Sequence, residues 1–323
     1  MRRRDFLAGA TLAVTLRSAH AQQPKRVYRV GYLGINPTKT PIQAEVWKAF
    51  DEGLRAHGLI EGENVIVRRY FSEGREERQP GFVAELLDWK ADVIVCGSLA
   101  GARAASQATK TIPIILAGIG EPVRLGFAKS LAKPGGNITG VSSQLVEVVR
   151  FYQLLKEIVP SLTRVAVLWN PNNVVWSLSD LERDVYRTLG LQMIPIPISG
   201  PEAVAAALEK IGTEQAEALD ITNSVMTYRA SILSFALEKR LPVIVSSRVF
   251  RDPGVLISYG PSLPEAFRRT AAYIDKVLKG ASPADLPIEL PSKIEVTLNL
   301  GTARTMGIDI PPHVLALADE LVE

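Results

Sequence analysis

Cysteine is nearly absent from this chain: one thiol, Cys96, occurs in 323 residues. A lone cysteine forms no internal disulfide, so no disulfide framework holds the fold. Cys96 ends the apolar run Ala91–Cys96. A buried core thiol is expected there, because the sequence offers no neighbouring base to make it a nucleophile. Histidine is scarce too, with three residues in all. His57 reads as a helix C-terminal residue and His313 as part of a helix start, and neither has a companion at metal-ligand spacing. Metal and cofactor are therefore not expected. Gly31-Tyr32-Leu33-Gly34 follows the first strand, but G-x-G-x-x-G is missing. No Walker A sequence and no G-x-S-x-G elbow occurs. Beyond the N-terminus no apolar run nears the roughly 20 residues of a membrane span, so no direct membrane insertion is expected.

What is present begins with Arg3-Arg4-Asp5-Phe6-Leu7, a twin-arginine stretch leading into the apolar run Leu7–Leu16. Ala19-His20-Ala21 follows as a small-x-small site. These parts, in this order, read as a twin-arginine export signal over residues 1–21, removed after Ala21. Gln22 follows rather than cysteine, so no lipid anchor is indicated, and the expected location is the periplasm. The signal takes four arginines and one aspartate with it, leaving 33 basic and 33 acidic residues in a mature chain of 302. A net charge of zero gives no bulk attraction to nucleic acid or to an anionic membrane. The length is enough for two domains.

Short β-branched runs alternate with helical patterns. Strands are expected at Val27–Ile35, Asn64–Phe71, Asp92–Gly97, Ile112–Ala117 and Ile138–Ser142. A second series covers Arg164–Trp169, Gln192–Ile198, Ala218–Thr222, Pro242–Ser246 and Val255–Ser258. Several lack polar alternation, as parallel strands covered on both faces do. Thr40-Pro41 marks a helix start whose inner face is Val46, Trp47, Phe50 and Leu54. Ser262-Leu263-Pro264-Glu265 is a capping box, and its helix turns Phe267, Ala271, Ile274 and Leu278 inward. The pattern implies an α/β fold of two similar lobes with parallel sheets and right-handed crossovers. Lys133-Pro134-Gly135-Gly136-Asn137 reads as the connection between them.

Small polar residues collect just after the strand C-termini. They are Asn36; Ser98; Gly118 to Glu121; Asn170, Asn172 and Asn173; Thr222, Asn223 and Ser224; Ser246 and Ser247; Ser258 and Tyr259. Ligands of open parallel sheets bind beyond the carboxyl ends of strands, where helix N-termini favour a carboxylate or phosphate. Any one of these residues can equally be a plain turn former or cap. As a set recurring in both series, they point to a shared ligand cleft lined by Asn36, Ser98, Gly118, Glu121, Asn170, Asn172, Asn223, Ser247 and Tyr259.

Three stretches carry a family resemblance. Glu121-Pro122-Val123, continuing through Ser130-Leu131-Ala132-Lys133-Pro134-Gly135-Gly136-Asn137-Ile138-Thr139-Gly140-Val141, resembles the D-P-V … S-L-x-x-P-G-G-N-x-T-G segment of ABC transporter substrate-binding proteins. The group meant includes tryptophan- and tyrosine-binding members. Leu256-Ile257-Ser258-Tyr259-Gly260-Pro261 is similar to its M-S-Y-G segment. Asp285-Leu286-Pro287-Ile288-Glu289 to Pro311-Pro312 resembles its C-terminal signature. Glu121 stands where the family usually has aspartate, and Arg124 replaces a small residue. The resemblance implies a type I periplasmic-binding-protein fold with three crossings and a cleft between the lobes. By it the N-terminal lobe is 26–140 plus 259–286, and the C-terminal lobe 141–258 plus 287–323. It implies no catalysis. The expected role is a monomeric receptor for a small-molecule ligand, amino acid or other carboxylate-bearing solute, delivered by hinge closure to an ABC transporter permease in the inner membrane. A sensor subunit serving a membrane kinase or chemoreceptor, or an enzyme on the same layers, are the alternatives.

Overall fold

The computed structural model describes residues 26–35, 41–73, 75–143, 148–171, 180–246 and 251–323. The export signal expected over residues 1–21 lies outside them. All ten expected strands form, nine with shifted ends and Arg164–Trp169 with the expected ones. Five build the first sheet: β1 (Tyr28–Gly34), β2 (Val65–Phe71), β3 (Val93–Cys96), β4 (Ile114–Ala117) and β5 (Ile138–Val141), in the order β2-β1-β3-β4-β5 and all parallel. Helices α1 (Pro41–Ala56), α2 (Gln79–Asp88) and α3 (Leu99–Ala108) connect them.

The second sheet has seven strands. They are β6 (Arg164–Trp169), β7 (Gln192–Pro197), β8 (Ala218–Ile221), β9 (Val243–Val245), β10 (Val255–Pro261), β11 (Ile294–Asn299) and β12 (Glu320–Val322), in the order β12-β11-β10-β9-β8-β6-β7. Its helices are α4 (Val148–Ile158), α5 (Asp180–Thr188), α6 (Val204–Thr213) and α7 (Arg229–Lys239). Helix α8 (Leu263–Leu278) follows β10, and α9 (Leu300–Met306) and α10 (Pro312–Leu315) follow β11.

One expectation is corrected here: the second sheet is not wholly parallel. β11 runs antiparallel to β10, pairing Tyr259 with Val296. The chain leaves β10 at Pro261, and Ser262 N–H donates back to Lys293 O at 3.1 Å. Because β11 starts beside the end of β10, it can only run back along it. A parallel neighbour would have to begin at the far end.

The absence of polar alternation has a direct cause. Val93 and Val95 pack in the cluster under α1 and α8, while Ile94 and Cys96 pack in the cluster under α2 and α3. Both faces of the first sheet are covered. The second sheet repeats this with two clusters of its own. Helix α8, though it follows β10, belongs to the first layer. Phe267, Ala271 and Ile274 pack with Phe50 and Leu54 of α1. The helices approach closely at Gly53, where a Cβ would lie 2.8 Å from Arg268 O. Half of the expected capping box forms: Ser262 Oγ accepts from Glu265 N–H, while Ser262 N–H goes to Lys293 O and the Glu265 carboxylate to Arg268.

The sheets are joined by three passages of chain: after β5, between β10 and α8, and between Glu289 and β11. Pro134-Gly135-Gly136 is not one of them. It precedes β5 within the first sheet's layer, pinned by Gly135 N–H to Ala284 O (3.1 Å) and by Asn137 Nδ2 to Ile112 O (2.7 Å). Glu289 is bridged to β5, since its N–H donates to Gly140 O at 2.9 Å and its C=O accepts from Ser142 N–H at 2.8 Å. By sheet membership Val141 lies in the first sheet and Tyr259–Pro261 in the second. Ile288 packs in the first sheet's core.

Candidate functional site

The exits of β1, β2 and β3 are stapled together. Gly34 O accepts from Ser72 N–H (3.1 Å) and from Gln79 Nε2 (3.0 Å). Gln79 Nε2 also reaches Ser98 Oγ at 3.4 Å. Ser98 caps α3, its Oγ accepting from Gly101 N–H at 3.1 Å. Ser72, Gln79 and Ser98 are all buried. The local sequence explains the arrangement. Three adjacent strands end in register, Gly34 opposite Phe71 and Leu33 opposite Cys96, so their exits meet along one edge. The first turn of α3 then aims its N–H groups along that edge.

The second sheet builds an equivalent staple from β6 and β8. Thr222 Oγ1 donates to Leu168 O at 2.8 Å. Its single proton is thereby used, so in the 2.7 Å contact between Thr222 Oγ1 and Ser224 Oγ, Ser224 is the donor. Ser224 Oγ in turn accepts from Asn170 N–H at 2.9 Å. Asn223 begins the 3₁₀ helix Asn223–Tyr228 that leads into α7.

The expected site residues therefore divide into groups. Ser98 joins the first staple, and Asn170 joins the second, while Asn223 lies on the same exit. Gly118 and Glu121 follow β4, both with left-handed backbone (φ 76° and 51°), and Glu121 Oε2 lies 3.8 Å from Arg124 Nε. Tyr259 is buried within the second sheet's core, its ring 5.9 Å from that of Phe151. Asn36, Asn172 and Ser247 lie outside the described residues.

Two buried polar features escaped sequence reading. Gln79 is one; its only signal was a polar residue opening an otherwise apolar helix. Asp220 is the other, an acid inside Ala218-Leu219-Asp220-Ile221 and thus legible as an anomaly. It is 2% exposed, and Oδ2 accepts from Tyr152 Oη at 2.6 Å. Burial first, then the adjacent Asp220 charge, pushes the Tyr152 hydroxyl well above its usual range. Tyr152 also packs on Tyr186, ring centres 4.5 Å apart.

Burial pushes the Cys96 thiol up, so it stays protonated and inert. Among the described residues no group of three or more His, Cys, Asp or Glu is placed to hold a metal ion. Also among them, no helix is long and apolar enough to cross a membrane. Beside the second and third passages lies a groove of about 330 Å³, whose charged walls include Lys48, Glu52, Glu265, Arg268, Lys293 and Glu295. These walls pair with one another, Arg268 with Glu265 at 2.8 Å and Lys293 with Glu295 at 3.0 Å.

Two doubly wound layers linked three times, with polar caps at the carboxyl edges of both sheets, define a type I periplasmic-binding-protein architecture. The chain belongs to the family of ABC transporter substrate binding proteins, whose pattern it matches over residues 36–322. A tyrosine-binding protein of Clostridioides difficile (strain R20291) is 25% identical over 263 residues, which cover 81% of this chain and 76% of that protein. An ABC domain from Streptococcus pneumonia, solved in complex with L-Trp, superposes with a TM-score of 0.83 at 24% identity, covering 92% of this chain and 100% of that one. A ligand-free, open substrate binding protein from Clostridium difficile gives 0.71 at 22% identity, covering 92% and 99%.

Proposed function

We propose that the mature chain is an exported solute receptor that captures an amino acid or related carboxylate-bearing solute and delivers it to a membrane permease. The observation that carries this reading is the pair of hydrogen-bonded staples, Gly34–Gln79–Ser98 in one sheet and Leu168–Thr222–Ser224–Asn170 in the other. Each holds small polar groups at the carboxyl edge of a parallel sheet, where this architecture binds ligands. The α3 N-terminus at Ser98 supplies partial positive charge suited to a carboxylate. The relatives named as binding tyrosine and L-Trp support an amino acid over other solutes.

In this proposal Ser98, Gly118 and Glu121 lie on one wall of the cleft, and Asn170 and Asn223 on the other. The lobes hinge on the three passages, with Glu289 as a fixed point tied to β5 and to Arg269 Nε at 2.8 Å. The ligand bridges the walls and favours the closed form by its higher affinity for that form. The signal at residues 1–21 places the receptor outside the cytoplasm, after folding, through the twin-arginine route.

A thermal-shift screen of amino acids, their decarboxylated amines and simple carboxylates tests the proposal. A true ligand at 100 times its dissociation constant adds about 2.7 kcal/mol of stability. The expected outcome is a rise in melting temperature for one or more amino acids and none for the matching amines. Equal shifts for amine and acid, or none with any compound, would refute carboxylate recognition.

A further inference from the structure

Gln79 is a fully buried amide whose two ends are treated differently. Its Nε2 donates to Gly34 O and to Ser98 Oγ. A carbonyl oxygen only accepts, so Gly34 fixes which end of the amide faces the strand exits. Ser98 Oγ accepts a second bond, from Gly101 N–H. A serine hydroxyl offers two acceptor lone pairs and one proton. Both lone pairs are occupied, and no described residue accepts the proton. Ser98 is left able only to donate.

The other end of the amide is the second observation. Gln79 Oε1 is buried without a hydrogen-bond partner. It lies against the first turn of α3, where a Cβ on Gly101 would sit 3.2 Å from it and 2.8 Å from Ser98 Oγ. A buried, unpaired amide oxygen is destabilising, and a methionine of similar size would avoid it. A glutamine that breaks this rule at a strand-exit edge calls for a functional reason.

We infer that Gln79 is a positioning residue that turns Ser98 into an obligate hydrogen-bond donor toward the carboxylate of the bound ligand. The inference rests on the receptor reading above. The free proton of Ser98 and the N-terminal N–H groups of α3 then present donors alone, so an anion is accepted and a cation or a neutral donor is refused. Gly101 is part of the device, because a side chain there would push against both Ser98 and Gln79.

The test is a double-mutant cycle on the mature protein, read by calorimetry with L-tryptophan and L-tyrosine as probes. Ser98→Ala should weaken binding about tenfold or more, the ordinary share of one hydrogen bond to a charged group. Gln79→Met should weaken it by about tenfold while its melting temperature stays near the parent's. Because Gln79 acts through Ser98, the double variant should bind no worse than Ser98→Ala alone. Gln79→Glu, which accepts the Ser98 proton and adds a negative charge, should bind more weakly than Gln79→Met. Losses that multiply to about a hundredfold in the double variant would mean independent structural effects and overturn the inference. So would parent-like binding by Gln79→Met beside a weakened Ser98→Ala, with the receptor reading left standing. If the parent protein binds neither probe nor any amino acid of the thermal-shift screen, the amino-acid reading itself fails and the inference falls with it.

Discussion

Gly140 is a residue whose replacement the structure judges severely. It sits in β5 at φ 132°, opposite Leu116 of β4. Side chains of L configuration rarely occupy that backbone region, and holding one there costs about 1–3 kcal/mol. Space is also missing. A Cβ would lie 2.4 Å from Leu116 O and 2.5 Å from Leu116 N, both backbone atoms of the paired strand. Strands β4 and β5 would have to part, and Glu289, whose N–H donates to Gly140 O, would lose its anchor. Gly140→Ala should therefore cost about 3 kcal/mol or more in total, a value found only for severe core or backbone damage. Urea unfolding followed by circular dichroism measures it. Gly212→Ala is the matched control. That glycine lies in α6 with nothing within 4 Å of its added Cβ, so alanine there should stabilise by up to about 1 kcal/mol. A Gly140→Ala protein within about 1 kcal/mol of the parent would show that the strain and the contact have been misjudged.

Two further outcomes follow from buried or paired groups. Tyr152→Phe removes the hydroxyl that donates to buried Asp220, and should cost about 1–3 kcal/mol by the same urea assay, the penalty for taking that bond from a buried acceptor; a negligible change would contradict this. Burial alone raises the Glu217 carboxyl, but N–H groups of Thr163 and Arg164 outweigh it and hold it below the usual glutamate range. A depressed folded value contributes stability above the unfolded value of about 4.3, lost as pH falls through the folded one. Glu217→Gln should lower the urea midpoint at pH 7 and converge with the parent in acid; a gap that stays constant with pH would contradict this.

The layers and strands were legible because burial on both faces leaves an apolar run that periodicity exposes. Ile94 and Cys96 against Val93 and Val95 show how one run feeds two cores. The antiparallel β11 is not among the expected strands although Ile294, Val296 and Leu298 alternate with polar residues, since a βαβ pattern implies parallel neighbours. Strand β12 has three residues, too few for any period to show. Pro134-Gly135-Gly136 looked like a joint between lobes because glycine and proline mark turns without saying which layer a turn serves. Its hydrogen bonds to Ala284 and the Asn137 contacts settle that only in three dimensions. At the site, Ser98 was visible as a cap after a strand. Gln79 was not, since its partners Gly34 and Ser98 lie 45 and 19 residues away. Tyr259 follows the expected strand end at Ser258, yet strand β10 continues three residues beyond Ser258, and the ring turns into the core.

The central claim is a receptor whose lobes close on their ligand. Small-angle X-ray scattering of the ligand-free mature protein, with and without a saturating amino acid identified by thermal shift, tests it most directly. Hinge closure predicts a smaller radius of gyration in the bound state and a return to the original value on dialysis. Superimposable scattering curves, with saturation verified by calorimetry in the same samples, would contradict the hinge mechanism and leave a rigid binding site in its place.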